Sequence, residues 1–459
     1  MAQRDVFWLD RSRPAARPSL AGDTAADVAI VGGGFTGLWT ALALLEREPS
    51  LDVVLVEAGR LGVGASGRNG GFLDPSLTHG LLNGQRHFPA ELAELEELAD
   101  ENYRGFRDAL VRYRVDCGFE ATGMLEVATQ QWQVDSLREW FSAHLDHGHH
   151  VEFLSGPQAQ ERLASPLVLA AVRRPTAGGV LDPVALVDGL ADGVVALGAS
   201  VHENSAVVAI EAANGPNGEV VVRTESGRLR ARNVVLATDA WSRDLLPQTR
   251  RHYVNVYDYV LMTRPLSADE LSSIGWKGRE GVSDSGNHFH YFRLTSDDRI
   301  LWGGYDAVRH RGDAVGEQFD QWKPTHDRLE RHFRDFFPQL SEVEFTHRWG
   351  GPIAVTSRFT PVFGAALDKR LHYALGYTGL GVGATRFAAT VLSEQVLGVR
   401  SPLTELGYVR KRPFPFPPEP LRSIAVGLTQ RAITKADENN GRRGPWLRLL
   451  DRFGVGLDS

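Results

Sequence analysis

VAIVGGGFTGLWTALALLEREPSLDVVLVEAGRLGVGASGRNGG, residues 28–71, is the most informative stretch of the sequence. Its opening run at residues 28–31 is mostly β-branched and predicts a buried parallel strand. Helix formers fill residues 38–45, and a second apolar run at residues 51–56 predicts another buried strand. A glycine-rich turn joins the first strand to the helix. The order strand, turn, helix, strand predicts one βαβ unit.

The glycines of this turn have the G-x-G-x-x-G spacing of a dinucleotide-binding fingerprint. Gly32 permits the tight turn, Gly34 lets backbone N–H groups approach a pyrophosphate, and Gly37 lets helix and strand pack closely. Glu57 ends the second strand, where it can accept hydrogen bonds from an adenosine ribose and disfavours the 2′-phosphate of NADP. Later glycine matches in the chain lack the strand, helix and acid around them. The first match therefore predicts dinucleotide binding.

The composition narrows the class of protein. At 459 residues the chain can form two or three domains, and 42% hydrophobic and 23% charged residues are ordinary for a globular protein. A net charge of −7 argues against nucleic acid or an anionic membrane as the main partner. Cys117 is the only cysteine, which excludes a disulfide framework. The N-terminal residues include charges and prolines without an apolar run, so we expect no export signal, no transmembrane segment and a cytoplasmic protein.

Periodicity and turn residues place further elements along the chain. An arm with Phe7 and Trp8 as docking anchors precedes residue 25, and Asp182 predicts a helix start as its N-cap. Prolines between residues 413 and 420 predict an extended linker. The other predicted elements are helices at 88–114, 132–145, 183–197, 384–397, 421–436 and 446–453, strands at 124–128 and 234–237, β runs over 201–232 with a turn at 214–218, and a β-rich aromatic stretch over 254–304. We expect the last two helices, in the tail, to pack back on the same chain.

Three motifs together resemble one family. They are the glycine fingerprint with Glu57, the run GASGRNGG at residues 64–71, and the loop GYTGLG at residues 376–381 with the helix that follows. With these motifs the sequence resembles the D-amino-acid oxidase (DAO) superfamily of FAD-dependent oxidoreductases. It is most similar to the branch of γ-glutamylputrescine oxidase and glycine/sarcosine-oxidase-type proteins. The resemblance extends from Trp8 to about residue 397.

The resemblance implies an α/β fold with two domains and a tail. The first is a Rossmann-like FAD-binding domain of the glutathione-reductase type, and the second is a β-rich α+β substrate domain. We expect the FAD-binding domain to be discontinuous, formed by residues 1–90, 150–240 and 345–400. The substrate domain then comprises residues 91–149 and 241–344. Residues 401–459 form the proline-rich linker and the helical tail.

The implied cofactor is non-covalently bound FAD. Cys117 follows a predicted helix far from the glycine loops, so we expect no covalent anchor there. Asp239 follows the strand at 234–237 at a position where family members often have glycine, and aspartate tolerates a left-handed conformation at some cost. The predicted cofactor-binding residues are Gly32, Gly34, Phe35, Thr36, Gly37, Glu57, Ala58, Ala65, Ser66, Gly67, Arg68, Asn69, Gly70, Gly71, Val207, Thr238, Trp241, Gly351, Gly379, Leu380, Gly381 and Val382.

The reaction implied by the resemblance is hydride transfer from the carbon next to a neutral amine to the flavin, followed by hydrolysis of the imine. An aromatic pocket would help, since it disfavours the cationic form of the amine. His288 and His290 lie two residues apart, so on a strand both would face one side. The candidate catalytic residues are Tyr257, Tyr259, His288, His290 and Tyr291. For each of them the competing interpretation is a satisfied aromatic of the core or of a sheet face.

The run at residues 349–356 departs from amino-acid-oxidising relatives, because it lacks the arginine that binds a substrate carboxylate. This difference favours a small primary or secondary amine, such as a γ-glutamylated polyamine, as substrate. A D-amino-acid, glycine or sarcosine oxidase or dehydrogenase stays open as the alternative. In that case Arg68, Arg293, Arg348 or Arg358 would supply the clamp.

Several further alternatives stay open. Sarcosine-oxidase-like relatives place a lysine near the flavin, but Lys277 and Lys323 look like exposed loop residues, so electrons could pass to oxygen or to another acceptor. An NADH-coupled reductase or monooxygenase would need a second fingerprint or a reactive cysteine. A flavin-stabilised interaction protein without turnover would depend on the tail alone. The histidines at residues 144–150 have no partnering cysteine, so we expect no metal site. The oligomeric state is undecided.

Overall fold

The computed structural model describes residues 5–212, 218–452 and 455, and two eight-stranded sheets dominate it. Most of the predicted turn at residues 214–218, and the last residue of the predicted helix at 446–453, lie outside the described residues. The helices of the described residues are α1 (Phe35–Arg47), α2 (Leu81–His87), α3 (Leu92–Arg112), α4 (Gln131–Asp146), α5 (Gly156–Arg162), α6 (Pro183–Ala196), α7 (Ser242–Leu245), α8 (Ala268–Ile274), α9 (Lys323–Phe336), α10 (Gly381–Val396), α11 (Pro402–Glu405), α12 (Gly407–Arg410), α13 (Leu421–Glu438) and α14 (Pro445–Arg452).

The first sheet has a parallel centre. Its strands are β1 (Gly22–Val31), β2 (Val53–Val56), β8 (Ser200–His202), β9 (Val207–Ala212), β10 (Val220–Thr224), β11 (Gly227–Leu236), β17 (Val362–Ala366) and β18 (Leu371–Leu375). Their order is β17-β18-β11-β1-β2-β8, with β10 and β9 attached antiparallel to β11. The pairs β1–β2, β1–β11, β2–β8 and β11–β18 are parallel. The carboxyl ends of β1, β2 and β11 therefore meet at one edge, where an open α/β sheet binds its ligand.

Helices α1, α3, α6 and α10 cover one face of this sheet and bury its largest hydrophobic cluster. Asp182 caps α6 as predicted, since its carboxylate accepts hydrogen bonds from the N–H groups of Val184 and Ala185. The predicted helix at 88–114 is shorter than expected and begins at Leu92. Pro89 lies at its start, and the residue before a proline avoids the helical conformation.

The second sheet is mixed and joins distant parts of the chain. Its order is β16-β12-β15-β14-β13-β4-β6-β5. Helix α9 packs on one face, over a core rich in aromatic side chains. The opposite face is turned toward the cavity described below. The strands are β4 (Met124–Ala128), β5 (Glu152–Ser155), β6 (Ala170–Arg174), β12 (Val254–Thr263), β13 (Gly281–Asp284), β14 (His290–Leu294), β15 (Ile300–Gly304) and β16 (Phe345–Val355), and a separate two-stranded sheet pairs β3 (Phe72–Leu73) with β7 (Gly179–Val180).

Three strands within the segments assigned to the FAD-binding domain belong to this second sheet. They are β5, β6 and β16, and β16 pairs with β12 along almost its whole length. The hydrophobic pattern of a strand does not identify the sheet that it joins, so the sequence could not assign these three. A division by sheet would move them to the substrate domain. The domain boundaries stay a proposal in that amended form.

The first and last described segments of the chain pack on the body of the protein. Trp8 is 2% exposed and its indole N–H donates to the carbonyl of Asn69 at 2.9 Å, as expected for a docking anchor. The predicted arm is shorter than expected, because β1 already begins at Gly22 and pairs there with β11. The tail helices pack back on the same chain as predicted, through Arg422 to Asp313 at 2.7 Å. Within the described ranges, no helix is long and apolar enough to cross a membrane.

Candidate active site

A cavity of about 1660 Å³ is lined by residues of both sheets and of the tail. Sites for a single small ligand usually measure about 300–1,000 Å³. The cavity is therefore large enough for a dinucleotide together with a substrate. Its lining includes the glycine fingerprint, the loops at residues 64–71 and 376–381, and side chains of the second sheet.

The fingerprint turn leaves the beginning of α1 open toward the cavity. Gly34 is the N-cap of α1 and has no side chain to occupy the helix end. A Cβ atom at Gly34 would lie 2.7 Å from the hydroxyl of Ser66, which accepts a hydrogen bond from Phe35 N at 3.0 Å. A Cβ atom at Gly37 would collide with the carbonyl oxygen of Gly32. The lack of a Cβ atom at Gly34 therefore keeps the anion site at the helix end free. The lack of one at Gly37 lets the helix pack close to the strand.

Glu57 lies at the carboxyl end of β2 and lines the cavity. Its two carboxylate oxygens accept hydrogen bonds from Gly33 N at 2.7 Å and Gly59 N at 2.9 Å. Burial raises the pKa of this carboxyl, while the backbone donors lower it. The acid is thus fixed beside the fingerprint turn, in the position that recognition of a ribose requires.

The second loop, residues 64–71, is held from several sides. Arg68 pairs with Asp320 at 2.5 Å and donates through Nε to the carbonyl of Val63 at 2.8 Å. Its own carbonyl accepts from the indole N–H of Trp349 at 2.9 Å. Desolvation raises the pKa of Asp320 to about 6, and Arg68 opposes the shift. In this geometry Arg68 clamps the loop, with its Nε and Nη1 groups both engaged within the protein.

The third loop depends on the unusual aspartate. Asp239 has a φ of 38°, so it adopts the left-handed conformation expected for the turn. Its carboxylate accepts a hydrogen bond from Gly376 N at 2.7 Å and so joins the turn after β11 to the loop before α10. Desolvation raises the pKa of Asp239 to about 6. A glycine at position 239 could not accept this hydrogen bond. The bond therefore explains how the turn is maintained with aspartate in place of glycine.

The structure brings nearly all of the predicted cofactor residues to the cavity wall. The exceptions are Gly37, Gly67 and Gly71, which lie behind the wall, and a Cβ atom at each would collide with a backbone oxygen. The sequence interpretation missed His79 and Tyr377, which also line the cavity. Tyr377 lies within the quoted loop at 376–381, two residues before the predicted Gly379, so its place in the motif could have found it. The three loops, the open helix end and Glu57 together fit an FAD molecule.

The aromatic candidates separate onto two faces of the second sheet. Tyr291 faces the cavity, and its ring lies 5.4 Å from that of Phe72. Tyr257 and Tyr259 belong to the core under α9, although Tyr257 also lines the cavity. Their hydroxyls donate to the carbonyls of Gly316 at 3.1 Å and Phe319 at 2.8 Å. Tyr259 does not line the cavity.

The two histidines do not face the same side of one strand, contrary to expectation. His288 lies outside the strand, because β14 begins only at His290. His288 lines the cavity and contacts the tail through Thr434 at 3.1 Å. His290 lies outside the cavity wall, between Asp284 at 2.6 Å and His332 at 2.9 Å. Both rings stack on Tyr305. Of the two histidines, only His288 therefore lines the cavity.

Two acids that the sequence interpretation missed face the cavity from the second sheet. Asp258 of β12 accepts hydrogen bonds from the hydroxyl of Tyr291 and from Tyr259 N, the latter at 2.9 Å. Glu126 of β4 and Tyr291 of β14 both lie opposite Ser283 of β13, so they share this face. Each acid is the only charged residue of its strand, and that signal could have found them.

Desolvation controls the protonation of these groups. It raises the pKa of Asp258 to about 6 and that of the Tyr291 hydroxyl well above its usual value of 10. It also raises the pKa of Glu126, which Arg174 opposes. The cavity-facing side of the sheet therefore offers carboxylates that are stronger bases than exposed ones.

The arginines considered as carboxylate clamps are all engaged elsewhere. Arg348 pairs with Glu330 at 2.9 Å, and Arg358 donates to the backbone carbonyls of Tyr408 and Lys411. Arg293 is buried under the ring of Trp8. Of the four, only Arg68 lines the cavity.

Of the other candidates, the two lysines and Cys117 lie outside the cavity wall, whereas His144 lines the cavity. Lys277 and Lys323 are exposed, and Cys117 is buried outside the cavity wall with its thiol pKa raised to about 12 by desolvation. His144 stacks on Trp140 and has its pKa lowered to about 4 by burial. Across the part of the chain that the structure describes, no group of three or more His, Cys, Asp or Glu residues is arranged to hold a metal ion.

Comparison with known proteins identifies the family. The family model described as "FAD dependent oxidoreductase" (DAO) matches residues 27–395. The chain belongs to the DAO family. The γ-glutamylputrescine oxidoreductase of Escherichia coli K12 is 32% identical over 392 residues, which cover 85% of this chain and 88% of that protein. The glycine oxidase of Geobacillus kaustophilus is 27% identical over 334 residues, covering 69% of this chain and 84% of that protein.

Solved structures show the same fold. A crystal structure of glycine oxidase from Geobacillus kaustophilus superposes with a TM-score of 0.69 at 21% identity, covering 85% of this chain and 99% of that one. L-proline dehydrogenase from P. horikoshii superposes with a TM-score of 0.68 at 18% identity, covering 86% and 97%. The predicted fold, a Rossmann-like FAD domain plus an α+β domain, is confirmed. This DAO-family protein is an oxidoreductase, and its cofactor is FAD.

Proposed function

We propose that this DAO-family enzyme oxidises the C–N bond of a primary or secondary amine to an imine, which water then hydrolyses to a carbonyl compound. The observation that carries the proposal is the charge of the cavity wall. Ten carboxylates and four arginines line it, and none of the lining residues is a lysine. The four arginines are all ion-paired, as Arg68–Asp320, Arg174–Asp74, Arg309–Asp313 and Arg328–Asp306.

Such a wall favours a cationic substrate over a carboxylate. Asp258 and Glu126 face the cavity, and no arginine forms an ion pair with either among the described residues. A free α-amino acid would bring its own carboxylate toward these acids. Without a bidentate arginine it would lose hydrogen bonds to a charged group worth about 1.5–3 kcal/mol each, roughly a tenfold loss of affinity or more.

The wall residues would prepare the amine for oxidation. The ammonium group binds at Asp258, whose carboxylate accepts a proton and leaves the neutral amine, which is the reactive form. The raised pKa of Asp258 suits a base better than an ordinary aspartate. Tyr291 lines the cavity and holds the carboxylate in place through its hydroxyl. FAD, when bound, supplies the hydride acceptor.

The named activity of one relative supports the same class of substrate. The Escherichia coli protein is a γ-glutamylputrescine oxidoreductase, and γ-glutamylputrescine is an amine. The earlier alternative, a D-amino-acid, glycine or sarcosine oxidase or dehydrogenase, is the outcome that the experiment below must exclude. Turnover itself would exclude the third possibility, a flavin-stabilised interaction protein.

The test is anaerobic mixing of the FAD-loaded protein with amines and with amino acids, with loss of the flavin absorbance as the readout. Putrescine derivatives and simple alkylamines should bleach the flavin at lower concentrations than D-alanine, glycine or sarcosine. If an amino acid has a kcat/KM about tenfold or more above every amine, the proposal is wrong. In that case a lining arginine binds its carboxylate. Readmission of air with measurement of H2O2 then decides between an oxidase and a dehydrogenase.

We also propose that the protein is located in the cytoplasm. The single cysteine is buried and free, which suits a reducing cytoplasm. Fractionation of cells that express the protein would test this.

A further inference from the structure

The C-terminal segment does more than pack on the surface, since it forms part of the cavity wall. Residues 414–417 of the proline-rich linker line the cavity, and so does one face of α13. That face comprises Val426, Thr429, Gln430 and Ile433, which follow each other at helical spacing. The whole segment lies beyond residues 27–395, the part of the chain that the family model matches.

Polar contacts fix α13 over the substrate end of the cavity rather than over the cofactor loops. Asp437 accepts from Asn287 Nδ2 at 2.6 Å and from His288 N at 3.0 Å. Gln430 donates to the carbonyl of Ala307 at 2.6 Å. At the other end of the helix, the guanidinium of Arg422 donates to Asp313 at 2.7 Å. The helix is therefore attached to the loop after β13 and to the segment after β15, the same strands that carry Ser283 and Gly303 beside Tyr291.

The wall built by the tail is uncharged. Its cavity-facing side chains are aliphatic, aromatic, hydroxyl or amide, with Phe416 and Trp446 beside the α13 face. The nearest lining arginines are neutralised: Arg309 pairs with Asp313 and Glu419, and Arg328 pairs with Asp306. A distal carboxylate would find no free cation on this wall among the described residues, whereas an amide or alkyl group would be matched.

We propose that the tail wall, residues 414–417 with the inner face of α13, is the specificity element of this enzyme and selects elongated amines whose distal part is uncharged, such as N-acyl diamines. The inference rests on the proposed amine oxidation and deepens it. The ammonium end of the substrate lies at the carboxylate-bearing sheet face, and the uncharged end lies against α13. A γ-glutamyl group, with its carboxylate and ammonium, fits this wall less well than an acetyl group.

The first test compares kcat/KM for N-acetylputrescine, γ-glutamylputrescine and n-propylamine. The proposal expects N-acetylputrescine to exceed both of the others by about tenfold or more. A γ-glutamylputrescine value equal to or above that of N-acetylputrescine overturns the uncharged-wall assignment.

The second test fills the space beside α13. Ile433→Trp should raise KM for N-acetylputrescine by about tenfold or more, with less than about a threefold change in kcat/KM for n-propylamine. Val426→Trp is the second variant and should act in the same way. Leu428→Trp is the matched control, because Leu428 lies on the outer face of α13 and is 43% exposed. Equal losses on long and short amines, or the same effect from the control, overturn the proposal.

A binding measurement separates this inference from the proposed function. Calorimetry with protein reduced by dithionite measures N-acetylputrescine binding without turnover. Binding that weakens in Ile433→Trp and not in Leu428→Trp supports the tail wall even if no amine bleaches the flavin. The opposite result is that amines bleach the flavin but neither substitution changes the affinity for N-acetylputrescine. That result supports the proposed function and overturns the role of the tail wall.

Discussion

At the residue scale, the cavity is governed by carboxylates held away from bulk water. Asp258 has four neighbours that set its charge: the hydroxyl of Tyr291, the N–H groups of Tyr259 and Gly304, and the carboxylate of Asp306. Desolvation is the largest influence and raises the pKa to about 6, while the hydrogen bonds oppose it. The acid therefore ionises within the range of ordinary assays.

We expect kcat/KM for amines to rise with pH through about 6, as Asp258 becomes the carboxylate that binds ammonium. Asp258→Asn should lose this acidic limb and lower kcat/KM by about a hundredfold, the lower end of what a general base contributes. Asp327→Asn is the matched control, since Asp327 lies on α9, pairs with Lys323 and does not line the cavity. An unchanged acidic limb in Asp258→Asn would contradict the assignment.

Asp239 gives a second residue-scale prediction. Asp239→Ala keeps the left-handed strain of a Cβ atom, about 1–2 kcal/mol, and loses the hydrogen bond from Gly376, whereas Asp239→Gly loses only the bond. Thermal melts should therefore rank wild type above Asp239→Gly and Asp239→Gly above Asp239→Ala. A melt in which the alanine variant equals the glycine variant would contradict the strain argument.

The same carboxyl contributes to the pH dependence of stability. Its folded pKa of about 6 lies above the ordinary value of 3.8, so its contribution is complete below 3.8 and is lost as pH rises through about 6. We expect the free energy of unfolding to fall less steeply over that window in Asp239→Asn than in wild type. Urea titrations at several pH values would measure it, and parallel pH curves would contradict it.

At the element scale, glycines inside helices have opposite roles in α1 and α13. Gly37 is in contact with the fingerprint turn, where a Cβ atom would collide with Gly32, whereas a Cβ atom at Gly427 of α13 would meet nothing within 4 Å. One glycine is required by packing, and the other only weakens its helix. The contrast follows from what lies against each helix.

Gly37→Ala should prevent FAD binding, because α1 must move away from β1 and the anion site at its N-terminus is lost. Gly427→Ala should stabilise α13 by about 0.5–1 kcal/mol, since alanine is the better helix former. FAD content after purification measures the first effect, and hydrogen exchange of α13 measures the second. Full FAD loading of Gly37→Ala, or faster exchange in Gly427→Ala, would contradict these expectations.

At the scale of the whole molecule, the cavity that we expect to hold the cofactor is lined by parts of the chain that are far apart in sequence. The lining residues include the fingerprint near the N-terminus, the turn after β11, part of β16, and the start of α10 near the end of the family match. A ligand that binds only the folded state stabilises it by mass action, by about 2.7 kcal/mol at a hundredfold excess over its Kd.

We therefore expect the FAD-loaded protein to melt at a higher temperature than the same protein after FAD removal, with recovery on adding FAD back. Acid precipitation should leave the yellow FAD in the supernatant, since Cys117 lies outside the cavity wall. Colour retained in the pellet, or FMN in the supernatant, would contradict non-covalent FAD.

The sequence by itself determined the cofactor and the core fold. A βαβ unit is local, so the glycine spacing from Gly32 to Gly37 and the acid at Glu57 are enough to identify it. The same holds for the helix start at Asp182 and for the two flavin loops, where contact with the ligand requires small residues in consecutive positions. Each of these features is contained within a few tens of residues. No contact between distant parts of the chain is needed to recognise it.

Only the tertiary structure decided which side chains face the substrate. Strand pairing determined that Tyr291, Asp258 and Glu126 share one face, while Tyr257 and Tyr259 turn toward α9. A shift of one residue in register exchanges the two faces of a strand, and the local pattern of an aromatic strand does not specify which face is which. The position of α13 over the cavity likewise depends on contacts more than a hundred residues apart, such as His288 with Thr434, and no local pattern encodes them.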